Sequence, residues 1–82
     1  MLDRKEMVTL AAKLMKLSET EIEANSAMVD DKTLYFSMPY KGGDSLIVSN
    51  DGTVLYASSA VGYSKHMDEF NNGRRTPLEE FI

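Results

Sequence analysis

A chain of 82 residues with nine basic and thirteen acidic side chains carries a formal net charge of −4, and that length supports one small domain with no second unit beside it. Hydrophobic residues make up 43% and charged residues 27%, a balance that fits a folded globular chain and excludes a disordered one. Cysteine is absent, which removes disulfide frameworks, zinc fingers, cysteine-ligated clusters and thiol nucleophiles together and leaves packing as the source of stability.

Asp3 followed three residues later by Glu6 has capping-box spacing and precedes an apolar run at helical period: Met7, Leu10, Ala11, Leu14 and Leu17. Lys13 and Lys16 fall where the helix dipole favours positive charge. The pattern predicts a helix over residues 4–17. Ser18 and Glu21 repeat the capping spacing, so Ser18-Glu19-Thr20-Glu21 reads either as a second short helical turn anchored by Ile22 or as a charged linker.

From Ala27 the texture becomes β-like. Ala27-Met28-Val29 is short and apolar, Asp30-Asp31-Lys32 has turn chemistry, and Thr33 to Met38 alternates, with Leu34, Phe36 and Met38 on one face and Thr33, Tyr35 and Ser37 on the other. Pro39, lacking a ladder donor, closes that strand. After the loop Tyr40-Lys41-Gly42-Gly43-Asp44, two β-rich runs, Ser45 to Ser49 and Thr53 to Ala57, flank Asn50-Asp51-Gly52 and predict a hairpin. Leu46-Ile47-Val48 is apolar on both faces, which places this strand mid-sheet and covered twice. Ser64 is positioned to cap a helix over 65–72 that Gly73 stops, with Met67 and Phe70 as its buried stripe. Thr76-Pro77-Leu78-Glu79 has the form of another helix start, which leaves Leu78, Phe81 and Ile82 to make a terminal turn that docks. The expected architecture is α+β: an N-terminal helix, an antiparallel three- to four-stranded meander and a C-terminal helix, with the helices packed on one sheet face.

Several constellations bear on chemistry. His66 is the sole histidine; it is read as a surface or structural residue, with an acid–base role open only if folding brings Asp68, Glu69 or Asp44 to it. Ser58 and Ser59 follow a strand but lack the Gly-x-Ser-x-Gly elbow of hydrolases. Gly42-Gly43 is not followed by the Lys-Ser/Thr and helix that a phosphate loop requires. Arg74-Arg75 directly follows a helix stop and either grips a carboxylate or phosphate bidentately or pairs with Asp68, Glu69, Glu79, Glu80 or the last helical carbonyls. Tyr35, Tyr40 and Tyr56, with six Met, suit a protein contact if one sheet face stays open, and cover the sheet if it does not. Tyr35, Tyr40, Tyr56, Arg74 and Arg75 are the candidate partner-binding residues.

The segment Gly42-Gly43-Asp44-Ser45-Leu46-Ile47-Val48-Ser49-Asn50-Asp51-Gly52-Thr53-Val54-Leu55-Tyr56-Ala57, followed by His66-Met67-Asp68-Glu69-Phe70, resembles small α+β bacterial immunity-type families of polymorphic toxin systems, and also small proteins of bacterial or phage type. The likeness is one of texture over about half the chain and transfers no functional residue. It implies a non-enzymatic protein that binds another protein. An acidic binder suits a basic partner such as a nuclease toxin. The expectation is a protein-binding module that pairs with another protein or with itself as a homodimer. The alternative is a small ligand-binding or enzymatic domain that gathers His66, Asp44 and Arg74/Arg75 around a pocket. A third is an accessory chain whose open sheet edge pairs with another. No cofactor or metal is expected. Scattered basic residues argue against nucleic acid. No run approaches the roughly 18–20 apolar residues of a membrane span, and the charged start Met1 to Glu6 is unlike a secretory signal, so a cytoplasmic location is expected.

Overall fold

The computed structural model describes residues 1–38, 43–58 and 60–81. The elements run α1 (Arg4–Met15), α2 (Glu19–Ala24), β1 (Ser26–Asp30), β2 (Thr33–Ser37), β3 (Ser45–Ser49), β4 (Val54–Ala57) and α3 (Tyr63–Asn71), closed by a 3-10 turn at Leu78–Phe81. The strands form one antiparallel sheet in the order β1-β2-β3-β4, the expected meander with its fourth strand present. Readings that fall on Pro39, Tyr40, Lys41, Gly42, Ser59 and Ile82 lie outside the described residues.

The capping box at the start of α1 forms as the spacing predicts. The Asp3 carboxylate accepts from the Glu6 N–H at 2.8 Å, and Glu6 accepts from the Asp3 N–H at 3.1 Å, so donors that a helix start would otherwise orphan are satisfied. The helix stops at Met15, earlier than periodicity alone implies. Lys16 adopts a left-handed conformation (φ 59°, ψ 43°) and donates its N–H to Ala12, a C-cap usually given to glycine. Ser18 does cap a helix: its hydroxyl accepts from the Glu21 N–H at 3.2 Å, and Ile22 is fully buried, which settles the helix-or-linker alternative for α2.

The β1–β2 and β3–β4 turns use aspartate. Asp30 accepts from the Lys32 N–H at 2.8 Å. Asp51 accepts from the N–H and the hydroxyl of Thr53 at 2.9 and 2.6 Å, and these bonds hold its carboxyl below the ordinary 3.8. Gly52 completes the second turn at φ 89°, a conformation that a side chain disfavours.

The register aligns Leu34, Val48 and Val54 in one row, and Phe36, Leu46 and Tyr56 in the next. On that face Leu34, Phe36, Leu46, Val48 and Val54 pack against Met7, Val8, Ala11 and Ala12 of α1 and Ile22 of α2. Each Val, Leu, Ile, Phe or Met side chain among them removed from water contributes on the order of 1.5–3 kcal/mol. The alternate row is Tyr35, Ile47 and Leu55, and it points to the other face, where Ile47 and Leu55 meet Phe70 of α3, with Tyr35 and Met67 beside them. The helices therefore do not share a face. The expected single-sided packing is corrected to a sheet sandwiched between α1 and α2 on one side and α3 on the other. β3, buried at all but its last residue, is apolar on both sides because both sides are covered.

One further boundary differs. Gly62, not Ser64, precedes α3, and it makes no side-chain cap bond. Gly73 takes the predicted left-handed stop at φ 90°. The expected terminal turn after Thr76-Pro77 is the 3-10 turn Leu78–Phe81, with Phe81 packed on the α1-side core; the unforeseen part is that the Thr76 N–H donates to the Val54 carbonyl at 2.8 Å in an antiparallel bridge to β4.

Candidate functional site

The α3 face holds the sole histidine. His66 is 1% exposed, and its Nε2 lies 2.8 Å from the Leu55 carbonyl oxygen. Because a carbonyl only accepts, Nε2 must carry the hydrogen, which leaves Nδ1 as a bare acceptor. Nδ1 is buried with no partner. A second proton would place an unpaired charge in the core, and this burial pushes the imidazole below its ordinary 6.5, against smaller upward influences from the Leu55 bond and Glu69. Tyr35 stacks edge-on to both Tyr63 (centroids 4.7 Å apart) and His66 (5.8 Å), and its hydroxyl donates to Ser45 Oγ at 3.2 Å. His66 is thus a structural residue. Tyr35 is a packing residue under α3, which corrects its assignment to an open contact face. Tyr35 and Tyr56 also lie on opposite sides of the sheet, so they form no common patch.

The arginine pair divides its roles. Arg75 donates from Nε to Thr53 Oγ1 at 2.9 Å and from Nη1 to the Phe70 carbonyl at 2.9 Å and the Arg74 carbonyl at 2.7 Å. Its guanidinium carbon stands 3.8 Å from the Phe70 ring centroid, a cation–π contact. With Nε and Nη1 engaged on the β3–β4 turn and the end of α3, Arg75 clamps this face. Arg74 pairs with Glu69 at 2.9 Å at the surface. Together they match the structural alternative weighed for the pair.

Tyr56 remains partly accessible, at 38% exposure, with its ring edge-on to Phe81 at 6.2 Å. It borders a cleft of about 440 Å³ that also takes in Asp44, Met38, Thr76 and Glu80. Asp44, accepting from the phenol, holds the Tyr56 hydroxyl above its ordinary 10.0. A smaller hollow of about 280 Å³ lies between Arg74, Arg75, Glu69 and Glu80. His66 lines neither. The constellation of His66, Asp44 and the arginine pair around one pocket is not assembled, and among the described residues no group of three or more His, Asp or Glu is placed to hold a metal ion. Among the same residues no helix is long and apolar enough to cross a membrane. Tyr40 lies outside the described residues.

The two rims of the sheet differ. At β4 the chain covers its own edge: Thr76 donates its N–H to Val54, and its hydroxyl accepts from the Tyr56 N–H at 2.9 Å. No feature of Thr76-Pro77 announces this, since an N-cap pattern and a strand-edge cover use the same residue. At β1 nothing equivalent occurs among the described residues. Asn25, just before the strand, accepts from the Ser37 N–H at 3.2 Å; the antiparallel alternation then makes Ala27 and Tyr35 the next hydrogen-bonded pair. Ser26 and Met28 therefore turn their N–H and C=O groups away from β2. The register shifts between Met28 and Asp30, and the residue between them, Val29, is 39% exposed. The segments next to this rim, α2 and the β1–β2 turn, carry Glu19, Glu21, Glu23, Asp30 and Asp31, all exposed, and none has an ion-pair partner among the described residues. No protein family, curated protein or solved structure matches the chain.

Proposed function

We propose that the chain is a non-enzymatic protein-binding module, with an immunity-like role toward a basic toxin as its most concrete form. The observation that carries this is the distribution of cover. Helices pack on both sheet faces and Thr76 bridges the β4 rim, while the β1 rim keeps outward backbone groups beside carboxylates that have no ion pair among the described residues. An uncovered strand edge is a docking template, and a patch of one sign steers a partner of the other. His66 is buried with Nε2 on the Leu55 carbonyl and lines neither cleft, and Arg75 is bound to Phe70 and Thr53. A cytoplasmic location fits this role.

The test is affinity capture from a native lysate, followed by reconstitution of the complex from purified components with its mass read by light scattering. A stable complex with a basic protein at defined stoichiometry is expected. A chain that captures nothing and stays monomeric at high concentration would count against the role.

A further inference from the structure

Resting on the protein-binding role above, we infer that β1 is a strand-addition site, and that its occupant is an extended segment of a partner alternating basic and apolar side chains. Three observations carry this. First, Ser26 and Met28 present their backbone donors and acceptors outward, with no chain segment pairing to them among the described residues; an extended strand is what that row of groups complements. Second, from Leu17 to Asp31 the chain carries Glu19, Glu21, Glu23, Asp30 and Asp31 and neither Lys nor Arg, so the added strand is drawn in when it is cationic. Third, the same charges oppose a second copy of this chain. An antiparallel β1–β1 pair is related by a two-fold axis normal to the sheet, which keeps like faces on one side. It would set α2 beside its copy, glutamates against glutamates, because α2 packs with Ile22 on the α1 face.

The register specifies the alternation. Ser26 and Met28 lie on the α1 and α2 face with Phe36 and Leu34, whereas Ala27 lies on the α3 face with Tyr35. Residues of the incoming strand opposite Ser26 and Met28 point to the side on which the acidic α2 packs and are best basic. The one opposite Ala27 continues the row of Tyr35, Ile47 and Leu55 and is best apolar.

The probe is a capped Lys-Val-Lys-Val-Lys peptide titrated into the intact protein at low salt, followed by amide NMR shifts and hydrogen exchange. Shifts centred on residues 26–30, with new protection at the Ser26 and Met28 amides, are expected. A peptide of the same charge, N-methylated at alternate backbone nitrogens, should bind at least about tenfold more weakly, and E19K/E21K/E23K, at exposed positions of α2, should weaken the parent peptide by about tenfold. Equal binding of the N-methylated peptide, shifts centred elsewhere, or an apo dimer already protecting Ser26 and Met28 would each overturn the inference. A captured partner whose exchange footprint avoids β1 would also overturn it, while leaving the broader protein-binding role standing.

Discussion

On one side of the sheet Leu34, Phe36, Leu46, Val48 and Val54 meet Met7, Val8, Ala11 and Ala12; on the other, Ile47 and Leu55 meet Phe70 in a layer that also contains His66, Tyr35 and Arg75. The first contact is held by apolar burial, which is non-directional and scales with area. The second adds directional contacts: an imidazole on a carbonyl, a phenol on a serine, a guanidinium over a ring. The first side forms the larger cluster, and the second holds a short helix in place by a few specific bonds. Such a layer is more sensitive to pH and to the loss of single groups.

Substitutions can break this contrast or sharpen it. Phe36→Ala, at the centre of the apolar side, should cost about 3–5 kcal/mol, a large share of the roughly 5–15 kcal/mol typical of a folded domain, and should shift the urea midpoint or leave the chain largely unfolded by far-ultraviolet circular dichroism. Phe70→Ala should cost about 3 kcal/mol, near the lower end for buried aromatics. Its signature should be local, with amide protection lost in α3 and kept in β2 and β3; uniform loss would mean that the two sides fold as a single unit. His66→Gln should alter pH dependence above all. The folded imidazole lies below 6.5, so the unfolded chain takes up the proton first as pH falls. The stability contribution is complete above the unfolded value and is lost as pH falls toward the folded one. Comparing urea midpoints at about pH 7.5 and about pH 5.5, the variant should lack the drop that His66 adds to the native protein. Thr76→Val keeps the side-chain shape and removes the acceptor for the Tyr56 amide; about 1 kcal/mol and faster exchange at that amide are expected. Arg74→Ala should change stability by no more than about 0.5 kcal/mol, since its ion pair with Glu69 is a surface one.

The apolar side was legible because its residues repeat at helix and strand periods: Met7 to Leu14 in α1, Leu34 and Phe36 in β2. The strand boundaries and the Asn50-Asp51-Gly52 turn followed from local chemistry. The α3 side was harder to read because polar residues build much of it, and a buried histidine has the same letter as an exposed one. One clue was present. Leu46-Ile47-Val48 is apolar at consecutive positions, and a strand cannot bury Ile47 along with its neighbours unless both faces are covered. The double cover was readable there, but placing both helices on one face left no element to supply it; α3 does. The roles of Arg75 and Thr76 depend on where residues 70 and 54–56 arrive in space, which no local pattern encodes. The β1 rim was invisible for a related reason: an edge is a property of sheet order, and residues 26–30 look much the same whether or not a fifth strand lies beside them.

The Thr76 bridge has a consequence for stoichiometry. A sheet with two bare rims can recruit at one end and be recruited at the other, and so propagate into a fibre. Here one rim is occupied by the chain's own residues, so growth by strand pairing terminates after a single event. A strand added at the remaining rim would meet no second bare rim on this chain, so pairing could not propagate through it.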